Sequence, residues 1–235
     1  MTSNQKRAVA VSILLISVAA GGLLVRKAFQ DAANPTSEPV VQMEKVDIKA
    51  LEPLAEKGNP DAQFKLGQAL TSGGKSSDYE KAAKWLRMAA DQGHAGAQIA
   101  LAELYEAGRG VAKDYAAAME LYQKAANNGS AEAQYNLADM YEFGRGTEKN
   151  QKKAAEWFTK SAERGMGLAQ FNLGQRYHLG IGVTQDEVQA YKWLLLAKEQ
   201  KVPDADKFVK ELESSISKSD LAAGKKLASE FTPAK

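Results

Sequence analysis

The sequence predicts an all-α solenoid in which pairs of helices stack side by side. Three observations support this fold class. A unit of about 36 residues recurs four times, at 58–92, 93–128, 129–164 and 165–200. Each unit holds two stretches with apolar residues at helical spacing. Each unit also places Asp or Asn, which are preferred N-cap residues, at the start of its second stretch.

The recurrence is visible when the units are aligned. They begin GNPDAQFKLG, GHAGAQIALA, GSAEAQYNLA and GMGLAQFNLG. Large apolar residues and alanines recur at the same positions, and a single helical pair cannot cover its own apolar face. Neighbouring pairs must therefore stack, which produces a solenoid with a continuous core.

Residues that begin and end helices also recur. We expect N-caps at four positions that lie 36 residues apart, namely Asp78, Asp114, Asn150 and Asp186. Glycines suited to a left-handed helix end follow the second helices at Gly93, Gly129 and Gly165. Gly-x-Gly triplets at 108–110, 144–146 and 180–182 lie between the two helices of a unit, where the chain must reverse tightly.

A glutamine follows an alanine by one residue in every unit. These glutamines are Gln63, Gln98, Gln134 and Gln170. A polar residue kept at a repeat position usually completes a hydrogen bond between helices, and we favour that role over the alternative of ligand contact.

The flanks of the array read as caps. Residues 47–57 predict a single N-terminal capping helix, because they lead into Gly58 as the second helices lead into their glycines. Residues 201–235 contain two amphipathic stretches, Ala205–Ser217 and Leu221–Phe231, which we expect to form C-terminal capping helices. Such caps cover the ends of a soluble array.

Residues 58–200 resemble Sel1-like repeats, which are related to tetratricopeptide repeats, because the glycines, the caps and the aromatic columns recur together. The resemblance implies a right-handed α–α superhelix and a role as an adaptor or scaffold. The first unit departs from the family pattern, since 73–77 (GGKSS) replaces the Gly-x-Gly turn.

Residues 1–27 contain an uncharged apolar run, Ala8–Val25, whose length as a helix is about 27 Å. Val18-Ala19-Ala20 offers a cleavage site, but the apolar run continues beyond it. We therefore expect a single-pass inner-membrane anchor with the repeats in the periplasm. A cleaved signal, which would leave a soluble periplasmic or secreted protein, is the alternative. Residues 28–46 read as a flexible linker.

Composition argues against several classes of function. The net charge is +2, from 31 basic and 29 acidic residues, so the sequence favours no nucleic-acid partner. It has no cysteine and two histidines. We predict no catalytic residues, no metal site, no cofactor and no small-molecule substrate. The least favoured interpretation, a cell-wall enzyme, would need converging carboxylates or a nucleophile and a base.

We expect the partner to be another protein, bound along the concave surface that the first helices line. Binding residues should vary between units while facing that surface. The candidates are Asn136, Asp139, Phe143, Asn172, Gln175 and Arg176. The main hypothesis is an adaptor at the bacterial cell envelope. The alternative is an immunity protein that neutralises a secreted toxic effector such as a phospholipase.

Overall fold

The computed structural model describes residues 48–72 and 76–234. Within these ranges the chain forms helices and no strands. The helices are α1 (Ile48–Glu56), α2 (Pro60–Ser72), α3 (Ser76–Asp91), α4 (Ala95–Ala107), α5 (Tyr115–Asn127), α6 (Ala131–Phe143), α7 (Gln151–Glu163), α8 (Gly167–Leu179), α9 (Glu187–Glu199), α10 (Ala205–Ser215) and α11 (Lys218–Ser229).

Each helix from α1 to α10 packs mainly on its neighbours in chain order, and α11 packs on α9. The pairs α2–α3, α4–α5, α6–α7 and α8–α9 are the two helices of the four repeats, and the second helix of each repeat packs on the first helix of the next. The predicted all-α solenoid is confirmed. The handedness of its superhelix stays a prediction.

Three of the four predicted N-caps are present. Asp114 accepts hydrogen bonds from the amides of Ala116 and Ala117, at 2.9 and 3.0 Å. Asn150 and Asp186 likewise accept bonds from amides of the first turns of α7 and α9. The prediction for Asp78 was wrong, because α3 already begins at Ser76 and Asp78 lies in its first turn. A carboxylate there still interacts favourably with the positive end of the helix.

The glycines after the second helices have the predicted left-handed conformation. At the end of α5, for example, Gly129 has φ = 86° and its amide donates to the carbonyl of Ala126 at 3.0 Å. The next amide, that of Ser130, donates to the carbonyl of Ala125 at 3.1 Å. This pair of bonds is the Schellman arrangement, which satisfies two of the carbonyls left open at a helix end.

The second glycine of each Gly-x-Gly triplet lets one repeat approach the previous one. A Cβ atom at Gly110 would lie 2.2 Å from the carbonyl carbon of Tyr79, near the start of α3. Gly146 and Gly182 approach the first residues of α5 and α7 in the same way. The turns therefore hold successive repeats together as well as reversing the chain.

The recurring glutamines have the predicted structural role. The Nε2 atoms of Gln63, Gln98, Gln134 and Gln170 donate to carbonyl oxygens of Ala55, Ala90, Ala126 and Ala162, at 2.9 to 3.3 Å. Each acceptor lies near the end of the preceding helix and already accepts from the amide of the left-handed glycine that follows it, so the buried glutamine amide donates to the second acceptor position of that carbonyl.

Helices cover both ends of the array in the described residues. At the C-terminal end, α10 and α11 both pack on α9. The rings of Phe208 and Phe171 lie edge to face at 5.4 Å, and the hydroxyl of Tyr191 donates to Glu213 at 2.9 Å. Burial, followed by this hydrogen bond, raises the pKa of Tyr191 to about 12.

The predicted anchor and linker, residues 1–27 and 28–46, lie outside the described residues. Among the helices that the structure describes, none combines the length and the apolar character needed to cross a membrane.

Candidate protein-binding face

The six predicted site residues lie on α6 (Asn136, Asp139 and Phe143) and on α8 (Asn172, Gln175 and Arg176). We call the exposed surface of α2, α4, α6 and α8 the first-helix face. Core packing positions α6 and α8, because Leu137 and Leu173 point inward and are fully buried. The face is therefore a rigid surface built on helices, as binding sites of repeat proteins usually are.

The structure divides the six residues into two groups. Phe143 is exposed, with 37% of its surface accessible, and Asp139 and Asn172 are half-buried. Three others are buried, with exposures of 5% for Asn136, 8% for Gln175 and 3% for Arg176.

Asn136, Gln175 and Arg176 were expected to lie on the binding surface, but the structure buries all three side chains. Variation between repeats does not imply exposure at these positions, because all three side chains are buried inside the array.

Arg176 shows the physical reason most clearly. Its guanidinium lies over the ring of Phe158, 4.8 Å from the centroid, and its Nη2 atom is 2.7 Å from Oε1 of Glu142. Its Nη1 atom donates to Oε1 of Gln151 at 2.9 Å. A buried guanidinium requires such partners. Arg176 therefore joins the third and fourth repeats and is not available to a ligand.

Arg145, the middle residue of the second Gly-x-Gly triplet, organises the remaining site. Its Nη2 atom is 2.5 Å from Oδ2 of Asp139, and its Nη1 atom is 3.3 Å from Oε1 of Glu106. Its guanidinium also lies over the ring of Phe143, at 5.2 Å. The sequence only weakly indicates a role for Arg145, which follows Glu142 by three residues. Its contact with Glu106 in the preceding repeat is visible only in the fold.

The accessible part of the predicted site is therefore small and amphipathic. Phe143 supplies an apolar ring held in place by Arg145, and Asp139 supplies a carboxylate whose charge Arg145 partly neutralises. On α8, Asn172 donates from Nδ2 to the carbonyl of Leu168 at 2.9 Å, which fixes its amide. This arrangement suits recognition of an apolar side chain flanked by hydrogen-bonding groups.

No group of three or more His, Cys, Asp or Glu side chains in the described ranges is placed to hold a metal ion. His94 instead caps α4, with Nδ1 accepting from the amide of Ala97 at 3.1 Å. His178 pairs with Glu187, Nδ1 to Oε2, at 2.8 Å. Both histidines thus have local structural partners.

A family model for the Sel1 repeat matches four consecutive segments, at residues 60–94, 95–130, 131–166 and 167–202. These segments begin at or next to the first residues of α2, α4, α6 and α8. They start two residues after the units defined from the glycines. No match was found among curated proteins.

Solved structures show the same fold. The chain is similar to a Sel1 repeat protein from Oxalobacter formigenes, with 34% identity and a TM-score of 0.64, over 70% of this chain and 48% of that one. It is also similar to c5321, a protective antigen of uropathogenic Escherichia coli with an SLR fold, with 29% identity and a TM-score of 0.52, over 78% and 48% of the two chains. The chain spans about half the length of both structures.

Proposed function

This chain belongs to the Sel1 repeat family, and we propose that it is a non-enzymatic adaptor that binds another protein through the first-helix face. Sel1 repeat proteins generally mediate protein–protein interactions. Their helical pairs present a long surface on which side chains can vary while the core columns stay the same.

The exposure of Phe143 is the observation that supports this face most directly. Phe143 is the large apolar side chain exposed on the first helices of the described repeats. Aromatic side chains in the centre of an interface commonly dominate its binding energy. Because Arg145 packs against the ring and bonds Asp139, the ring is held in one position before a partner arrives, which lowers the entropic cost of binding.

We further propose that residues 8–25 tether the repeats to the inner membrane and that the repeats act in the periplasm. The support is the uncharged run, which as a helix would span about 27 Å, and the Pro-containing segment 28–46, which would hold the repeats away from the bilayer. Cell fractionation combined with protease accessibility of the repeats in intact spheroplasts tests both parts. Full protection from protease would contradict the periplasmic placement.

Affinity capture from native cells tests the binding face. The full-length protein is compared with Phe143→Ala and with a matched control, Met88→Ala, which removes a similarly exposed apolar side chain from the second helix α3. We expect the captured partner to bind Phe143→Ala roughly tenfold more weakly and the control with unchanged affinity.

Equal binding by all three proteins would disprove the role of the first-helix face. Circular dichroism of the variants would show whether helical content is retained. If the captured protein is a secreted toxic effector, the adaptor proposal gives way to an immunity role, which co-expression with that effector would then test.

A further inference from the structure

A second surface lies along the edge of the array formed by the Gly-x-Gly turns and the starts of the second helices. In the second and third repeats this edge carries five exposed basic side chains, which we call the basic ridge. They are Arg109, Lys113, Lys149, Lys152 and Lys153.

Contacts between repeats make the ridge continuous. Gly110 lies against the backbone of Tyr79 at the start of α3, and Gly146 lies against that of Tyr115 at the start of α5. The turn of each repeat is thus seated on the helix start of the previous one. Arg109 reaches across this contact, with its guanidinium 5.6 Å from the centroid of the Tyr79 ring.

Aromatic rings support the basic side chains along the ridge. The Nζ atom of Lys113 lies 4.7 Å from the centroid of Tyr115, and that of Lys153 lies 5.2 Å from the centroid of Tyr141. These contacts are weak at an exposed site, but they orient the side chains along the edge without neutralising their charge.

The excess of positive charge is local. Within residues 108–114 and 144–153 two carboxylates are exposed, those of Asp114 and Glu148, and that of Asp114 already accepts two hydrogen bonds from helix amides. A third exposed carboxylate, that of Glu80, belongs to the helix start that Gly110 contacts, so the five cations remain in excess. In the fourth repeat the equivalent positions are uncharged. Gln185 stands where the second and third repeats have Lys113 and Lys149, and Val188 and Gln189 stand where the third repeat has Lys152 and Lys153. The ridge therefore belongs to the second and third repeats.

Local stability does not account for this pattern. Lys152 and Lys153 occupy the first turn of α7, where the helix dipole disfavours positive charge. The N-cap of that helix is Asn150, which is uncharged, whereas α5 and α9 have aspartates. An anionic ligand would relieve the repulsion at this helix start, together with the repulsion among the three lysines near it.

We propose that the basic ridge binds an acidic polypeptide segment of a partner protein, at a surface separate from the first-helix face. The cations lie on the turns of two successive repeats and on the helix start after the second turn, and three of them lie on aromatic rings. That arrangement matches an extended chain with acidic side chains at intervals, whereas a flat anionic bilayer would meet a broad basic plane.

Fluorescence anisotropy with a defined probe tests the proposal. The probe is a fluorescein-labelled peptide of alternating glutamate and glycine, and its counterpart with glutamine in place of glutamate is the uncharged reference. The full-length protein, in a non-ionic detergent, is compared with the ridge variant Lys149→Glu, Lys152→Glu, Lys153→Glu. The matched control is Lys207→Glu, Lys218→Glu, Lys225→Glu, which changes net charge equally on exposed positions of the C-terminal segment.

We expect the acidic peptide to bind the wild type and the control with similar affinity. It should bind the ridge variant roughly tenfold more weakly, because several exposed ion pairs are lost. Binding should also weaken as salt is added. Equal weakening of both variants, or no preference for glutamate over glutamine, would overturn the proposal.

Two further measurements distinguish a peptide ligand from a lipid surface, and the basic ridge from the first-helix face. In the first, mixed micelles containing phosphatidylglycerol replace the peptide. If the ridge binds these micelles but not the peptide, its ligand is lipid and the proposal is overturned.

In the second, Phe143→Ala is tested with the acidic peptide and should bind it normally. Loss of the ridge interaction and failure of the first-helix face are therefore distinguishable. Circular dichroism checks that each variant is folded.

Discussion

Two junctions, one between the second and third repeats and one between the third and fourth, each contain an equivalent glutamate. Different residues bind its carboxylate in the two junctions. Glu106 and Glu142 occupy equivalent positions, 36 residues apart. Glu106 accepts a bond from the hydroxyl of Tyr122, at 2.8 Å, and pairs with Arg145 from the following turn. In the next junction Phe158 replaces the tyrosine and offers no hydroxyl, and Glu142 pairs with Arg176 from within α8.

The difference changes how much each junction depends on its arginine. The side chain of Arg145 is 26% exposed, whereas that of Arg176 is 4% exposed and lies on the Phe158 ring. Water can partly replace Arg145 but not Arg176. The two equivalent positions thus both carry a glutamate. The groups that bind its carboxylate differ between the junctions, and so does the burial of those groups.

The largest expected effect is on the more buried junction. Arg176→Ala leaves Glu142 and Gln151 without their main partner and removes the group that covers Phe158. Breaking one side of a buried ion pair typically costs about 3 kcal/mol or more, so we expect a loss of that size in the free energy of unfolding. Urea denaturation followed by circular dichroism measures it.

The matched variant in the other junction is Arg145→Ala. We expect a loss of about 1 kcal/mol there, because the guanidinium of Arg145 is more exposed and is screened by water. Similar losses for both arginines would show that burial does not distinguish the junctions. A double-mutant cycle of Arg176→Ala with Glu142→Gln would then measure the pair directly.

An effect between those of the two arginine variants is expected for the contact that both junctions share. A Cβ atom at Gly182 would lie 2.1 Å from the carbonyl oxygen of Gln151, so Gly182→Ala must push the third and fourth repeats apart. We expect a loss of about 2 kcal/mol from overpacking together with the left-handed φ of 73°. Thermal and urea denaturation measure the change.

Gly180 provides the control within the same turn. Its φ is 69°, but a Cβ atom there would find no atom closer than 3.5 Å. Gly180→Ala should therefore cost only the conformational part, about 1 kcal/mol. If the two substitutions were equally destabilising, the close approach between repeats would not be the reason for the second glycine.

An effect as small as that of Arg145→Ala is expected from the variant that tests whether the two junctions can be made alike. Tyr122→Phe removes the hydroxyl bonded to Glu106 and gives this position the ring found at Phe158. We expect a loss of about 1 kcal/mol, the usual net value of one hydrogen bond, since Arg145 still pairs with Glu106. A calorimetric scan detects the shift, and a loss as large as that of Arg176→Ala would contradict this account.

Much of the fold was predictable because its signals are local and repeated. The N-caps at Asp114, Asn150 and Asp186, the left-handed glycines and the buried glutamines each act within a helix end or between adjacent helices. The prediction failed at Asp78 because the first repeat lacks the Gly-x-Gly turn, and α3 begins two residues earlier.

The candidate site was predictable only in part. The exposure of Phe143 agrees with its selection from the sequence, whereas Asn136, Gln175 and Arg176 are buried. Comparing the residues at one aligned position of the repeats does not show whether that position faces solvent or the next repeat. The role of Arg145 was missed for the same reason, because its partner Glu106 lies 39 residues earlier in the chain.

The sequence by itself determined that helical pairs form and stack, because a helical period and a repeat length are properties of the chain alone. Tertiary structure decided which varying side chains join repeats and which face solvent. It also decided that the second glycine of each turn is required by a neighbouring backbone. Burial depends on what the next repeat places opposite a residue, and that is set only when the repeats are in contact.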